Sequence, residues 1–197
     1  MQIKEVDNNY YDEQNKRSGS NRNSNTLFES LKAANIRVQS GWKTFDIGCR
    51  SGFITNELYR RGCDVCGIDI GESAKKQWIQ NKYPFITQLY CGDIHKFNLP
   101  KDYFNLITIS HALEHLYDPV FVLNKMISSI KPGGLIHSIV PIEPKHDFEK
   151  YPPHLVRFEN HEDHCNFYLQ SGLKKVYDYY NSRERNSTII VKKDEQI

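Results

Sequence analysis

No stretch of this chain approaches the roughly 20 consecutive apolar residues that a bilayer-crossing helix needs. The polar N-terminus shows no basic-then-apolar leader pattern, so the expected location is the cytoplasm, with no membrane partner. Charge of one sign is equally scarce. Twenty-six Lys and Arg against 24 Asp and Glu leave a formal net charge of +2. Nucleic-acid binders usually carry a strongly basic face, so nucleic acid is disfavoured as a partner. Cysteine is present in an odd number, five, which does not make a disulfide framework. Cys63 and Cys66 have redox-like spacing, but they fall inside an apolar strand pattern rather than at a helix start. All five are read as reduced, buried thiols. Internal repeats are lacking too, and the one compositional bias is the asparagine-rich segment 1–23.

What remains is the composition of an ordinary soluble domain, 39% hydrophobic and 25% charged over 197 residues. That length suits one domain with a substantial core. The expected organisation is a polar segment at 1–23 and a single domain at 24–197. Ser24 is a plausible cap for a helix to about Ala34, with Leu27, Phe28, Leu31 and Ala34 on one face. Strands are expected at 42–48, 64–69, 86–90, 104–110 and 135–140, and helices at 52–61, 72–81 and 119–130. Such alternation predicts an α/β fold, a mostly parallel sheet with helices on both faces. Residues 141–158 then hold Pro141, Pro144, Pro152 and Pro153, a density that opposes helix and central strand alike. This insertion is expected to cover the carboxyl edge of the strands, where open α/β sheets bind ligands. A helix from Asn160 to Gln170, a strand through Tyr177 to Tyr180 and a last strand from Thr188 to Val191 complete the chain.

The most informative run is Asp46-Ile47-Gly48-Cys49-Arg50-Ser51-Gly52, between the strand pattern ending at Ile47 and the helical pattern from Phe53. A glycine-punctuated turn there lets a ligand lie against bare backbone at the helix N-terminus. The acid at the strand end can take hydroxyl or ammonium donors. Asp69 closes the second strand, where nucleoside-binding folds place a ribose-binding carboxylate. An adenosine-containing cofactor is the implied ligand.

Asp46–Gly52 resembles the first motif of class I S-adenosylmethionine-dependent methyltransferases. Gly67-Ile68-Asp69-Ile70 is similar to their second motif and Cys91-Gly92-Asp93-Ile94 to their third. The run Phe104 to His115 resembles the fourth strand with the loop bordering the substrate, and Lys131-Pro132-Gly133-Gly134-Leu135 the turn before strand five. The resemblance implies a Rossmann-like seven-stranded sheet closed by a C-terminal antiparallel hairpin. It implies S-adenosylmethionine as cofactor and S-adenosylhomocysteine as product. Carried onto this sequence, the cofactor contacts fall on Asp46, Gly48, Cys49, Gly52, Asp69, Ile70, Asp93, Ile94 and Ser110. One position departs from the pattern: the middle glycine is Arg50. Its side chain is expected to point to solvent; holding an anionic acceptor or weakening the cofactor site are the alternatives.

His111-Ala112-Leu113-Glu114-His115 matches H-x-x-E-H as bare letters, but that zinc-protease pattern needs one long helix, and Pro119 follows too soon. Pro153-His154-Leu155-Val156-Arg157-Phe158 resembles a His-Leu-x-x-Phe element of small-molecule and sugar methyltransferases. Methyl transfer needs an oriented nucleophile, and a hydroxyl acceptor must also lose its proton, which imidazole can accept near neutral pH. His154 and His115 are therefore the catalytic candidates, while His161 and His164 are expected on an exposed helix face. The implied acceptor is a small molecule such as a sugar or nucleotide-sugar. No metal is assigned, although the loop also resembles small-RNA 2′-O-methyltransferases, in which case His111, Glu114, His115 and His154 would hold a divalent ion. A cofactor-binding homologue without turnover is the remaining alternative. A nicotinamide-dependent dehydrogenase is disfavoured by the arginine in the glycine run. Oligomeric state is left open.

Overall fold

The computed structural model describes residues 22–144 and 154–195. Pro152, Pro153 and the middle of the expected cover lie outside them, as does most of the asparagine-rich segment 1–23. Helix α1 (Arg22–Ala33) precedes β1 (Lys43–Ile47), α2 (Phe53–Arg60), β2 (Asp64–Asp69), α3 (Glu72–Asn81) and β3 (Leu89–Cys91). Then follow β4 (Phe104–Ser110), α4 (Pro119–Ser129), β5 (Ile130–Pro141), α5 (His161–Leu169), β6 (Lys174–Asn181) and β7 (Asn186–Lys192).

The seven strands lie in the order β3-β2-β1-β4-β5-β7-β6. Strands β1 to β5 are parallel, and β7 runs antiparallel to both β5 and β6. The expected hairpin is therefore present. Sheet order reverses between β1 and β4, and in open α/β sheets the crevice at such a reversal receives the ligand. The glycine run leaves β1 and the histidine turn leaves β4, so both open on that crevice.

Apolar residues cover both faces of the sheet. On one side Leu27 and Leu31 of α1, Leu58 of α2 and Ala74 and Trp78 of α3 pack on Val65, Leu106 and Ile190. On the other, Val122, Leu123 and Met126 of α4 and Cys165 and Tyr168 of α5 pack on Phe45, Ile107, Ile109 and Ile136. Helix α4 starts where its sequence dictates: Asp118 accepts a hydrogen bond from the Phe121 amide at 2.9 Å with Pro119 in the first turn. Asn160 caps α5 in the same way, accepting from the Asp163 amide at 2.9 Å.

Several boundaries differ from expectation. Helix α1 already begins at Arg22, so Ser24 lies inside it rather than capping it. Residues Ile86–Gln88 form a 3-10 turn, and only Leu89–Cys91 pair with β2. Strand β5 starts at Ile130 rather than 135, because the chain re-enters the sheet directly beside Phe104, with Gly133 at φ 75 in the turn. All five cysteines are free thiols, but Cys66 and Cys91 are only partly buried.

Candidate active site

The turn after β1 is held in place by backbone and by one acid. Gly48 (φ 72), Arg50 (φ 50) and Gly52 (φ 83) all adopt left-handed conformations. A Cβ on Gly48 would lie 2.5 Å from that of Ala112, so the glycine turn touches the histidine turn directly. Gly52 starts α2 with no side-chain cap; the Thr55 amide in that first turn is taken by Asp46, and the amides before it are open to a ligand. Asp69 fixes the turn to the end of β2: its Oδ2 accepts from the Arg50 amide and its Oδ1 from the Gly71 amide, each at 2.9 Å. Trp78 donates its indole N–H to the Arg50 carbonyl from below.

Asp46 is buried and accepts a hydrogen bond from Thr55 Oγ1 at 2.9 Å. Burial pushes its pKa up to about 7, with the nearby Asp69 charge adding to the rise and the Thr55 bond opposing it. A cationic donor arriving beside it would relieve that penalty. Ser110, at the end of β4, has a buried Oγ without a protein partner among the described residues. An uncapped helix start, a glycine cradle, a penalised carboxylate and an orphan hydroxyl fit a ligand with an ammonium group and hydroxyls, as the methionine and ribose parts of S-adenosylmethionine present. Cys49 turns its side chain into the core, 3.0 Å from where a Gly67 Cβ would stand, so only its backbone faces the crevice. Ile70 is half-buried beside Asp69, while Ile94 packs in the core.

Asp93 is already engaged. Its Oδ1 meets the His95 amide at 2.9 Å and His95 Nδ1 at 2.7 Å. Burial raises the Asp93 pKa, but the bonds from His95 outweigh it and leave the carboxyl below its usual range. The His95 ring stacks on Tyr117, centroids 3.6 Å apart, and its Nε2 accepts from the Asp118 amide at 3.3 Å. This histidine was missed in the sequence, where nothing links position 95 to position 117.

Across the crevice, a 3-10 turn, Leu113–His115, carries the histidine motif. Burial pulls the His115 pKa down to about 4; the Glu114 charge opposes this, and His154, His111 and Arg50 reinforce it. His115 is thus neutral at pH 7. Arg50, half-buried rather than turned wholly to solvent, projects its charge onto this site. Glu114 is buried, yet His111, with Nδ1 3.6 Å from its Oε1, helps keep it ionised against the cost of burial.

His154 and His115 do come together, ring centroids 4.8 Å apart at 75°. The Glu114 carbonyl accepts from the amides of Leu155 at 2.8 Å and Val156 at 3.0 Å, which ties the returning chain to the histidine turn. A further residue completes the group: Glu143 Oε1 lies 2.5 Å from His154 Nδ1 and is buried. Sequence reasoning missed Glu143, because no motif links it to His154, and the pairing of Ile142 with Phe158 is what sets the two segments side by side. One donor atom each from Glu114, His115 and His154 lie within 4.8 Å of one another, a spacing that could hold a divalent ion. His111 is not in that set. His164, expected on an exposed face, is instead fully buried, bonded to Ser138 Oγ at 2.9 Å and Ser187 Oγ at 2.8 Å. These bonds tie α5 to β5 and β7.

Residues 45–138 match the family model described as a methyltransferase domain. With the sheet order and the motif positions, this match supports a class I S-adenosylmethionine-dependent methyltransferase domain over those residues. Among curated proteins, the chain is 31% identical over 104 residues to the ubiquinone biosynthesis O-methyltransferase of Aeromonas salmonicida. That alignment covers 49% of this chain and 42% of the relative, so the chain matches less than half of that protein's length. In fold it is similar to an S-adenosylmethionine-dependent methyltransferase from Aquifex aeolicus, with TM-score 0.66 and 15% identity over 89% of this chain and 99% of that one. It is also similar to the [4+2]-cyclase SpnF, with TM-score 0.73 and 11% identity over 89% and 81% of the two chains. A shared fold thus carries more than one chemistry, and function has to be argued from the site.

An expected result follows for the cofactor half. Asp69→Ala unties the Arg50 and Gly71 amides that its carboxylate holds in the glycine turn. Charge-assisted hydrogen bonds are worth about 1.5–3 kcal/mol each, so S-adenosylhomocysteine affinity should fall at least tenfold by calorimetric titration. Unchanged affinity would remove Asp69 from the site.

Proposed function

We propose that this domain methylates an oxygen of a small-molecule acceptor, with His154 as the base that takes the hydroxyl proton. The observation that carries the reading is the Glu143–His154–His115 group at the mouth of the crevice. When bound, S-adenosylmethionine supplies a methyl group activated on a sulfonium, a displacement that asks mainly for an aligned nucleophile. Asp46, the Gly48–Gly52 backbone, Asp69 and Ser110 would hold it. Glu143 at Nδ1 orients the His154 ring and supports positive charge on it, so the proton is taken at Nε2. Neutral His115 beside it can orient the acceptor without competing for that proton.

The proposed acceptor class is a sugar or nucleotide-sugar. The His154-to-Phe158 element supports the sugar, and the Arg50 charge felt at His115 supports an anionic group on it. The purified chain should be incubated with S-adenosylmethionine and nucleotide-sugars, neutral sugars, phenols and amines, each scored by mass spectrometry for methyl gain. Methylated nucleotide-sugar is expected. Turnover of amines alone would overturn the oxygen assignment, and phenol turnover alone the sugar. A second reading, favoured by the Glu114, His115 and His154 spacing, has a divalent ion aligning the acceptor. Chelator would then abolish activity and added magnesium or zinc restore it.

A further inference from the structure

We propose that His161, Cys165 and Asp178 form a zinc site that clamps helix α5 to the β6–β7 hairpin, on a part of the molecule the methyl-transfer reading does not use. His161 Nε2 lies 3.1 Å from Asp178 Oδ2. Cys165 Sγ lies 3.7 Å from each of them. Tetrahedral zinc with ordinary bond lengths implies about 3.3 Å between nitrogen and oxygen ligands and about 3.5 Å from sulfur to either. The three observed edges depart from those values by roughly 0.2 Å, the tolerance within which a proposed site should be judged. His161 and Cys165 are one turn apart on α5, so both project from the same helix face, and Asp178 meets them from β6.

The donor set selects the metal. One imidazole, one thiolate and one carboxylate suit zinc or cobalt; magnesium and calcium want oxygen throughout. His161 and Asp178 keep side-chain exposures of 26% and 31%, which admits solvent as fourth ligand. The supporting residues are built as such sites require. His161 Nδ1 is 2.7 Å from Ser187 Oγ, which also meets His164 Nδ1 at 2.8 Å, and His164 Nε2 meets Ser138 Oγ at 2.9 Å. With an ion on Nε2, His161 donates from Nδ1 to Ser187, Ser187 donates to His164, and His164 donates to Ser138. Every donor in that chain finds an acceptor. Without the ion the chain can run the other way, and Nε2–H then donates to Asp178. Lys175 Nζ, 3.1 Å from Asp178 Oδ2, is the cation that the ion displaces; Lys175 is exposed on a flexible stem and can swing clear.

The test uses cobalt as a spectroscopic stand-in for zinc. The full chain, freed of metal by chelator and given one equivalent of Co²⁺, should develop a thiolate-to-cobalt charge-transfer band and the visible bands of a tetrahedral ion. Zinc should bleach both, since it binds more tightly. The charge-transfer band requires a sulfur ligand, so an ion held by Glu114, His115 and His154 cannot produce it. Cys165→Ser should abolish the band. Asp178→Asn, on a half-exposed side chain that leaves the core untouched, should weaken cobalt binding at least tenfold, and His154→Ala should leave the band unchanged. Absence of the band from the wild-type chain, its persistence in Cys165→Ser, or unchanged cobalt affinity in Asp178→Asn overturns the proposal.

Discussion

His154→Ala should lower kcat about 10²–10⁴-fold, the usual loss when a general base is removed, while the dissociation constant for S-adenosylhomocysteine stays unchanged. The cofactor contacts proposed above belong to the turns after β1, β2 and β3 and to the end of β4, and none includes position 154. Glu143→Gln should reproduce part of the loss. It keeps the shape and a hydrogen bond at Nδ1 but removes the charge that supports a protonated ring. The wild-type rate should also fall at acid pH, because protonated imidazole cannot accept the hydroxyl proton. Near-wild-type kcat in His154→Ala, measured with chelator present, would rule out both the base and the ion at this place. Catalysis would then rest on alignment alone.

Acid should destabilise the fold by an amount that three histidines set. Burial holds His137 and His164 at a pKa of about 3 and His115 at about 4. In the unfolded chain each titrates near its ordinary value of about 6.5. Between those values the unfolded state binds more protons, so stability is present above pH 6.5 and is lost as pH falls toward 4. By pH 5 the loss is about 2 kcal/mol for each histidine. Asp46 works in the opposite sense. Its folded pKa, about 7, lies above the unfolded one, so it regains about 2 kcal/mol as pH falls from 7 to 5. The net expectation is a loss on the order of 4 kcal/mol between pH 7 and 5, read by urea titration at each pH. His137, on β5 with Thr108 Oγ1 3.4 Å from its Nδ1, is the cleanest contributor. His137→Gln should flatten the pH dependence by about 2 kcal/mol over that range. An unchanged slope would show that its burial does not govern the titration. Circular dichroism at each pH separates this effect from the loss of activity at acid pH.

The glycine turn and the carboxylates beside it were legible because their signals are local. A strand, a glycine run and an acid at the next strand end occupy consecutive stretches, and β2, α3 and β4 lie where their patterns place them. The acceptor half was legible only in part. His115 and His154 are 39 positions apart in sequence, and resemblance rather than periodicity linked them. Glu143 carried no signal, since a lone acid beside prolines reads as surface. His164 misled for a related reason: its helix is polar along most of its length, and only the packing of β7 against α5 shows that this face is inside. Arg50 looked like a defect in the glycine run. The structure accommodates it at φ 50 because Asp69 takes its amide.

The near contact between Gly48 and Ala112 couples the two halves of the crevice. Only the Ala112 methyl separates the turn that would seat the cofactor from the turn that carries His115, so a shift of one should be felt by the other. Whatever free energy the first ligand spends on settling one turn is then already spent for the second. Linkage makes such an effect reciprocal: if cofactor tightens acceptor binding by some factor, acceptor tightens cofactor binding by that same factor. Binding order would then be a kinetic preference, while the equilibrium favours the doubly loaded domain over either half-loaded one.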